Sequence, residues 1–271
     1  GAVLAVSGAL LQGLFRNPLA DPGLIGVSAG ASLAAIAVIV LGNTWLGGWL
    51  AMTGEWALPI AAFLGGSGTV LLAWRIANRS GQTAVATLLL AGIAINAVAG
   101  AATGLLTFYA NDEELRSLTF WTMGSLGHAG WDDLLVGAPF MVLALLAAPL
   151  LARPLDAFLL GESVVGHLGY RTDTVKKVAI LVVGLGVGAA VAVSGLIGFV
   201  GLVVPHLVRQ LLGASHRVVL PLSALVGGTL LVAADSLARV VVAPAELPIG
   251  LMMALIGGPF FLALLLRTKV I

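Results

Sequence analysis

The chain has 271 residues, 60% of them hydrophobic and 9% charged, and its 13 Lys and Arg against 12 Asp and Glu leave a formal net charge of +1. Soluble domains carry about 25% charged residues and a helix needs about 20 apolar residues to cross a bilayer, so this composition excludes a water-soluble fold and leaves room for a single membrane domain. The charge balance makes nucleic acid no expected partner, and the lack of cysteine removes disulfides, thiolate metal ligands and thiol nucleophiles.

Apolar runs separated by short polar, Gly-rich or Pro-rich breaks predict spans near 1–15, 24–42, 57–74, 83–108, 133–152, 176–193, 199–212, 218–235 and 248–266. The fold class is therefore all-α, a polytopic bundle of about nine transmembrane helices forming one domain over 1–271. The connecting loops alternate between two sides, and basic residues favour the cytoplasmic one. Arg16, Arg75, Arg79, Arg153, Arg171, Lys176, Lys177, Arg209, Arg217, Arg267 and Lys269 share a side, against Arg116 and Arg239 on the other. This places the loops near 16–23, 75–82, 153–175 and 213–217 in the cytoplasm, with Glu55, Asp112, Glu113, Glu114, Asp132, Asp133 and Glu246 outside. Gly1 then starts outside at an apolar stretch with no basic flank, so an earlier helix is expected to precede it, making ten in the natural fold.

The 83–108 span carries Gly92, Asn96, Gly100, Thr103 and Thr107 on one helical face. Small residues of this kind let helices pack closely, which the spacing favours, while a polar pathway wall is the alternative. In the 153–175 loop, the sequence RPLDAFLLGESVVGHLGYR is too broken by Gly161, Gly166 and Gly169 to span, and it suits two short helices. Leu155, Phe158 and Leu159, then Val164, Val165 and Leu168, repeat at helical spacing. They would lie in the headgroups as an interfacial pair or dock into a partner, the reading favoured here because exposed apolar patches mark interaction sites.

In 195–213 Pro205 interrupts a short span that bears His206, Arg209 and Gln210, and Arg209 is expected to snorkel to the cytoplasmic surface. Asp235 and Arg239, four apart at an outer helix end, permit a local ion pair or a solvated cap. No phosphate-cradling glycine loop followed by Lys and Ser or Thr occurs, so ATP hydrolysis is not expected of this chain. His128, His167, His206 and His216 form no paired ligand motif, and no metal or other cofactor is expected. An ion-coupled secondary transporter would need ionisable groups at mid-membrane, and an intramembrane enzyme a nucleophile and base or a metal constellation. The sequence offers neither.

Four stretches, QGLFRNPLADPGLIGVSAGA (12–31), FWTMGSLG (120–127), GLIGFVGLVVPHLVR (195–209) and ELPIGLMMALIGGPFF (246–261), together resemble the FecCD-type permeases of ABC importers for siderophores, haem and cobalamin. The resemblance runs through the whole chain. It implies a ten-helix homodimerising subunit of the bacterial inner membrane, two ATP-binding subunits beneath that use the ATP, and a periplasmic substrate-binding protein above. It further implies that the helix bearing Asn96, Gly100, Thr103 and Thr107 lines the substrate pathway and that Ser28 and Thr83 close a cytoplasmic gate. Leu155, Phe158, Leu159, Gly161, Glu162, Val165 and Leu168 would form coupling helices on the ATPase, and Arg239 would receive an acidic residue of the binding protein. The family's outer arginine motif in its first helix has no counterpart here. The LADPGLIGVSAGA and AELPIG wording, with His206 and His216, looks most like haem permeases.

Overall fold

The computed structural model describes residues 1–42, 44–78, 83–127 and 129–267, so that Arg79, His128 and Lys269 of the readings above lie outside the described residues. Thirteen α-helices are described: α1 (Ala2–Phe15), α2 (Val27–Leu41), α3 (Gly47–Thr53), α4 (Ala57–Ala77), α5 (Val85–Tyr109), α6 (Asp112–Met123), α7 (Trp131–Ala147), α8 (Ala152–Phe158), α9 (Glu162–His167), α10 (Thr172–Ser194), α11 (Val200–Leu212), α12 (His216–Val241) and α13 (Ile249–Arg267). Each of the nine expected spans has its helix. Five helical runs, 47–77, 85–109, 131–158, 172–194 and 216–241, are long and apolar enough to cross a bilayer, and the shorter apolar helices are α1, α2, α11 and most of α13.

α1 and α10 form the interior. Twelve of the fourteen residues of α1 are buried, Val3 through Leu14, and α10 buries both faces from Val182 to Ala192 except at Leu185. They can approach their neighbours because glycines remove the side chain at the crossings: a Cβ on Gly8 would collide with the carbonyl of Gly201 in α11. The outer helices α4, α7 and α12 keep broad aliphatic faces exposed, including Leu64, Leu72, Leu143, Leu146 and Val232, as lipid-facing surface does.

Two helices are not among the expected elements. The acids at 112–114 read as a loop, but they open α6. Asn111 Oδ1 accepts the backbone N–H of Glu114 at 3.0 Å and a Glu114 carboxylate oxygen accepts that of Asn111 at 3.0 Å, a capping box that satisfies two orphan donors. The other, α3, is a short helix ahead of α4.

The 16–23 segment also departs from expectation. After the left-handed cap at Arg16 the chain turns back into the bundle instead of staying at the surface. Pro22–Ile25 form a 3₁₀ turn capped by Asp21, whose Oδ1 accepts from Gly23 N at 2.8 Å. The Leu24 carbonyl lies on Gly92 and Asn96 Nδ2 donates to Gly23 O at 3.0 Å, which puts the turn about 10 Å in from the start of α5 at a rise of about 1.5 Å per residue. On the other side it touches Gly201 near the start of α11. Such irregular backbone is tolerated at membrane depth when protein surrounds it. Asp21 is therefore an acid inside the bundle, at the head of the 3₁₀ turn, although no ionisable group is expected there from the sequence. It borders a cavity of about 170 Å³ with Ser28, Leu4, Val187 and Ile197.

Candidate functional site

One end of the bundle gathers the cytoplasmic candidates. Gly13 near the end of α1 packs on His216 at the start of α12, and Asp156 of α8 reaches the same histidine. α9 reaches the first turns of α10 through Lys176, and α10 reaches Thr83 just ahead of α5. The helix ends that carry Arg16, Arg75, Arg153, Arg171 and Arg217 belong to this end.

The 153–175 loop does form two short helices. α7 runs almost without a break into α8 through a 3₁₀ turn at Ala148–Leu151, where Pro149 supplies no N–H. The apolar faces, however, are not both free for a partner. Leu155, Phe158 and Val165 are 0%, 2% and 0% exposed, turned into the chain's own core, so they cannot form a docking face as expected. Of the apolar residues at helical spacing on α8 and α9, these three mark the side toward the bundle. Leu159, Leu160 and Leu168 remain exposed, with Gly161 at a positive φ of 115° making the sharp turn between the helices.

Two polar tethers hold this loop. From α8, Asp156 Oδ1 accepts from the backbone N–H of His216 at 2.7 Å and pairs with its ring Nδ1 at 2.8 Å, and Oδ2 accepts from Ser215 Oγ at 3.2 Å. Arg209 lies beyond that histidine. Its guanidinium donates to Gln12 Oε1 and to Ala9 O, the latter at 3.0 Å, while Gln12 Nε2 donates to Gly201 O at 3.2 Å. Arg209 is thus drawn inward rather than snorkelling, because Gln12 and an α1 carbonyl offer it acceptors inside the bundle. His206 contacts Gln210 at 2.8 Å on the exposed side.

From α9, Glu162 pairs with the buried ammonium of Lys176, which also donates to Thr83 O at 2.6 Å. The backbone N–H of Thr83 in turn donates to Asp173 Oδ1 at 2.8 Å. Asp173 and Lys176, three apart on α10, so hold both peptide groups of Thr83, a residue 2% exposed. This clasp was invisible in the sequence, because 90 or more residues separate Thr83 from its partners on α10.

On α5, Gly92 and Asn96 face inward onto the 3₁₀ turn, and the Oδ1 of Asn96 is buried with no donor among the described residues. Gly100 is exposed, and Thr103 and Thr107 are half-buried on the flank, with Thr107 Oγ1 returning to Thr103 O at 2.8 Å. The expected polar face is therefore split between packing at Asn96 and a free flank beyond it. Ser28 lies near the start of α2, on the cavity with Asp21.

At the opposite end, Arg239 Nε donates to Asp235 Oδ2 at 2.8 Å and Nη1 reaches Glu246 Oε1 at 3.5 Å. Nearby, Glu55, Asp133 and Glu246 line an open cleft of about 650 Å³ walled by Phe120 and Trp121. Among the described residues no three His, Asp or Glu side chains gather as a metal site would require.

Comparison with known proteins gives a consistent picture. A model of the FecCD transport family matches residues 1–267. The chain is 47% identical over 269 residues to the hemin transport system permease protein HmuU of Yersinia pestis, covering 99% of this chain and 79% of that protein. It is 42% identical over 270 residues to the cobalamin import system permease protein BtuC of Halobacterium salinarum, covering 100% of this chain and 70% of that one. A solved structure described as an inward-facing conformation of a metal-chelate type ABC transporter superposes with a TM-score of 0.88 at 34% identity, covering 98% of this chain and 82% of that one.

Proposed function

This chain belongs to the FecCD transport family, the membrane permeases of ABC importers, and on that premise we propose that its cargo is haem, taken from a periplasmic binding protein and released to the cytoplasm. The observation that carries this reading is the identity to the hemin permease, 47% against 42% for the archaeal cobalamin permease over nearly the same residues. The free face of α5 agrees with it. That face presents Leu90, Ile93, Ala94, Ala97, Val98, Gly100, Ala101 and Gly104, small and aliphatic and without charge, which suits a flat apolar macrocycle better than a heavily hydroxylated chelate. Two copies of this chain, two ATP-binding subunits and the binding protein make up the proposed assembly, in a bacterial inner membrane. In that assembly Gly100, Thr103 and Thr107 border the pathway, Ser28 and Thr83 serve the gate, and Leu159, Gly161, Glu162 and Leu168 meet the ATPase. Arg239 serves docking by exchanging its local carboxylates for those of the binding protein.

Cobalamin is the second reading, favoured by the 42% identity to a cobalamin permease. The assembled complex in proteoliposomes, supplied with the binding protein and ATP, decides between them. ATP-driven accumulation of haem with none of cobalamin is the expected result, and cobalamin uptake without haem uptake overturns the proposal.

A further inference from the structure

Lys176 is the one lysine of α10 that turns into the protein. It is 2% exposed, whereas its neighbour Lys177 lies outside, with its ammonium 5.3 Å from the Trp74 ring centre. A buried ammonium needs acceptors in place, since removing one leaves charge uncompensated in a poorly solvated site. Two are at hand. One is Glu162, the first residue of α9, whose side chain is half-exposed at the cytoplasmic end; the other is the carbonyl of Thr83, which immediately precedes the last residue before α5.

We propose that Lys176 is the positioning residue that transmits displacement of α9 to Thr83 and so to the start of α5. The inference rests on reading α8 and α9 as the ATPase-coupling elements and Thr83 as part of the gate. The division of labour follows from geometry. Glu162 is the member a partner beneath can reach, Lys176 is held inside, and Thr83 is almost fully covered. When α9 moves, Glu162 either draws the ammonium with it, loosening the Thr83 carbonyl, or leaves it, handing the ammonium wholly to Thr83. In both cases the hold on Thr83 changes, while Asp173 keeps its grip on the amide as the fixed point. Coupling through one shared donor needs no rearrangement of the apolar core.

The test uses the complex with its ATP-binding subunits in proteoliposomes, reading cargo uptake, ATP hydrolysis and thiol labelling of Thr83→Cys in this otherwise cysteine-free chain. With Lys176 present, labelling is expected to differ between the nucleotide-free and ATP-bound complex. With Lys176→Met that difference disappears, and ATP hydrolysed per cargo molecule rises about tenfold, a usual size for coupling between distant sites. Glu162→Ala opens the same bridge from its half-exposed end, where water can take the place of the lost carboxylate, so it is expected to behave alike if Lys176→Met fails to assemble. Lys176→Arg, which retains a charged donor, restores coupling, and Lys177→Met leaves it unchanged. Labelling that follows nucleotide as strongly in the Lys176→Met or Glu162→Ala complex as in the complex that keeps both residues overturns the transmitting role alone. Labelling indifferent to nucleotide even with Lys176 present overturns the gate reading beneath it.

Discussion

In α8 five of seven residues, Ala152, Pro154, Leu155, Ala157 and Phe158, are buried, and Asp156 caps the start of α12. In α9, separated from α8 only by 159–161, Val165 is the one buried residue of six, and a single half-exposed glutamate makes the polar link to α10. The two helices come from one loop with similar apolar spacing. Segments with few buried apolar contacts open at lower cost than those embedded in the core. The difference therefore separates a support embedded in the core from an element held by fewer buried contacts, and the second is the one linked to Thr83 through Lys176.

The largest effect on the permease itself is expected at Phe158, which is 2% exposed and bridges α8 to the central core. Phe158→Ala leaves a cavity and is expected to cost about 3 kcal/mol or more, read as a fall in the midpoint of thermal unfolding in detergent. Val165→Ala in α9 is expected to cost less, since it removes a smaller side chain from a helix with only one buried residue. Equal losses at the two sites break the distinction between support and mobile element. Next in size is Asp156→Ala. It removes the acceptor for the first turn of α12 and the partner of a fully buried histidine, so a loss of about 1–2 kcal/mol is expected, as for other helix-capping side chains. A stability unchanged by Asp156→Ala would show that α8 is held by packing alone.

How far the sequence reached depends on the distance over which each feature is decided. The nine apolar helices were legible because hydropathy decides them locally, and the pair of short helices because Gly161 and Gly166 interrupt an apolar pattern within a few residues. α6 stayed hidden because its triple acid reads as a solvated loop until Asn111 and Glu114 are seen to cap each other. The inward turn at Asp21 was not legible, since the room for it comes from Gly92 and Gly201, 71 and 180 residues away. For the same reason periodicity found an apolar face on α8 without telling which body it meets. Leu155 and Phe158 face the bundle, and only Leu159, Leu160 and Leu168 stay free.

That last point sets the smallest expected change in stability and the sharpest test of the comparison. Leu159 and Leu168 are 45% and 57% exposed in the isolated chain, so replacing both with Asp removes little from the core, and surface changes of this kind usually stay within about 0.5 kcal/mol. Their expected effect lies outside the permease. If these leucines sit in a groove of the ATP-binding subunit, each aspartate must lose water to an apolar surface that offers it no partner. Co-purification of the ATPase should then drop while thermal unfolding of the permease stays in place. Phe158→Ala predicts the opposite pattern, with unfolding shifted and any loss of ATPase following from it. A double variant carrying Leu159→Asp and Leu168→Asp that keeps its ATPase would assign these leucines to the lipid headgroups, where a half-buried aspartate can still reach water. In that event Leu160 and Glu162, both exposed, and Gly161 between them remain for a partner to meet.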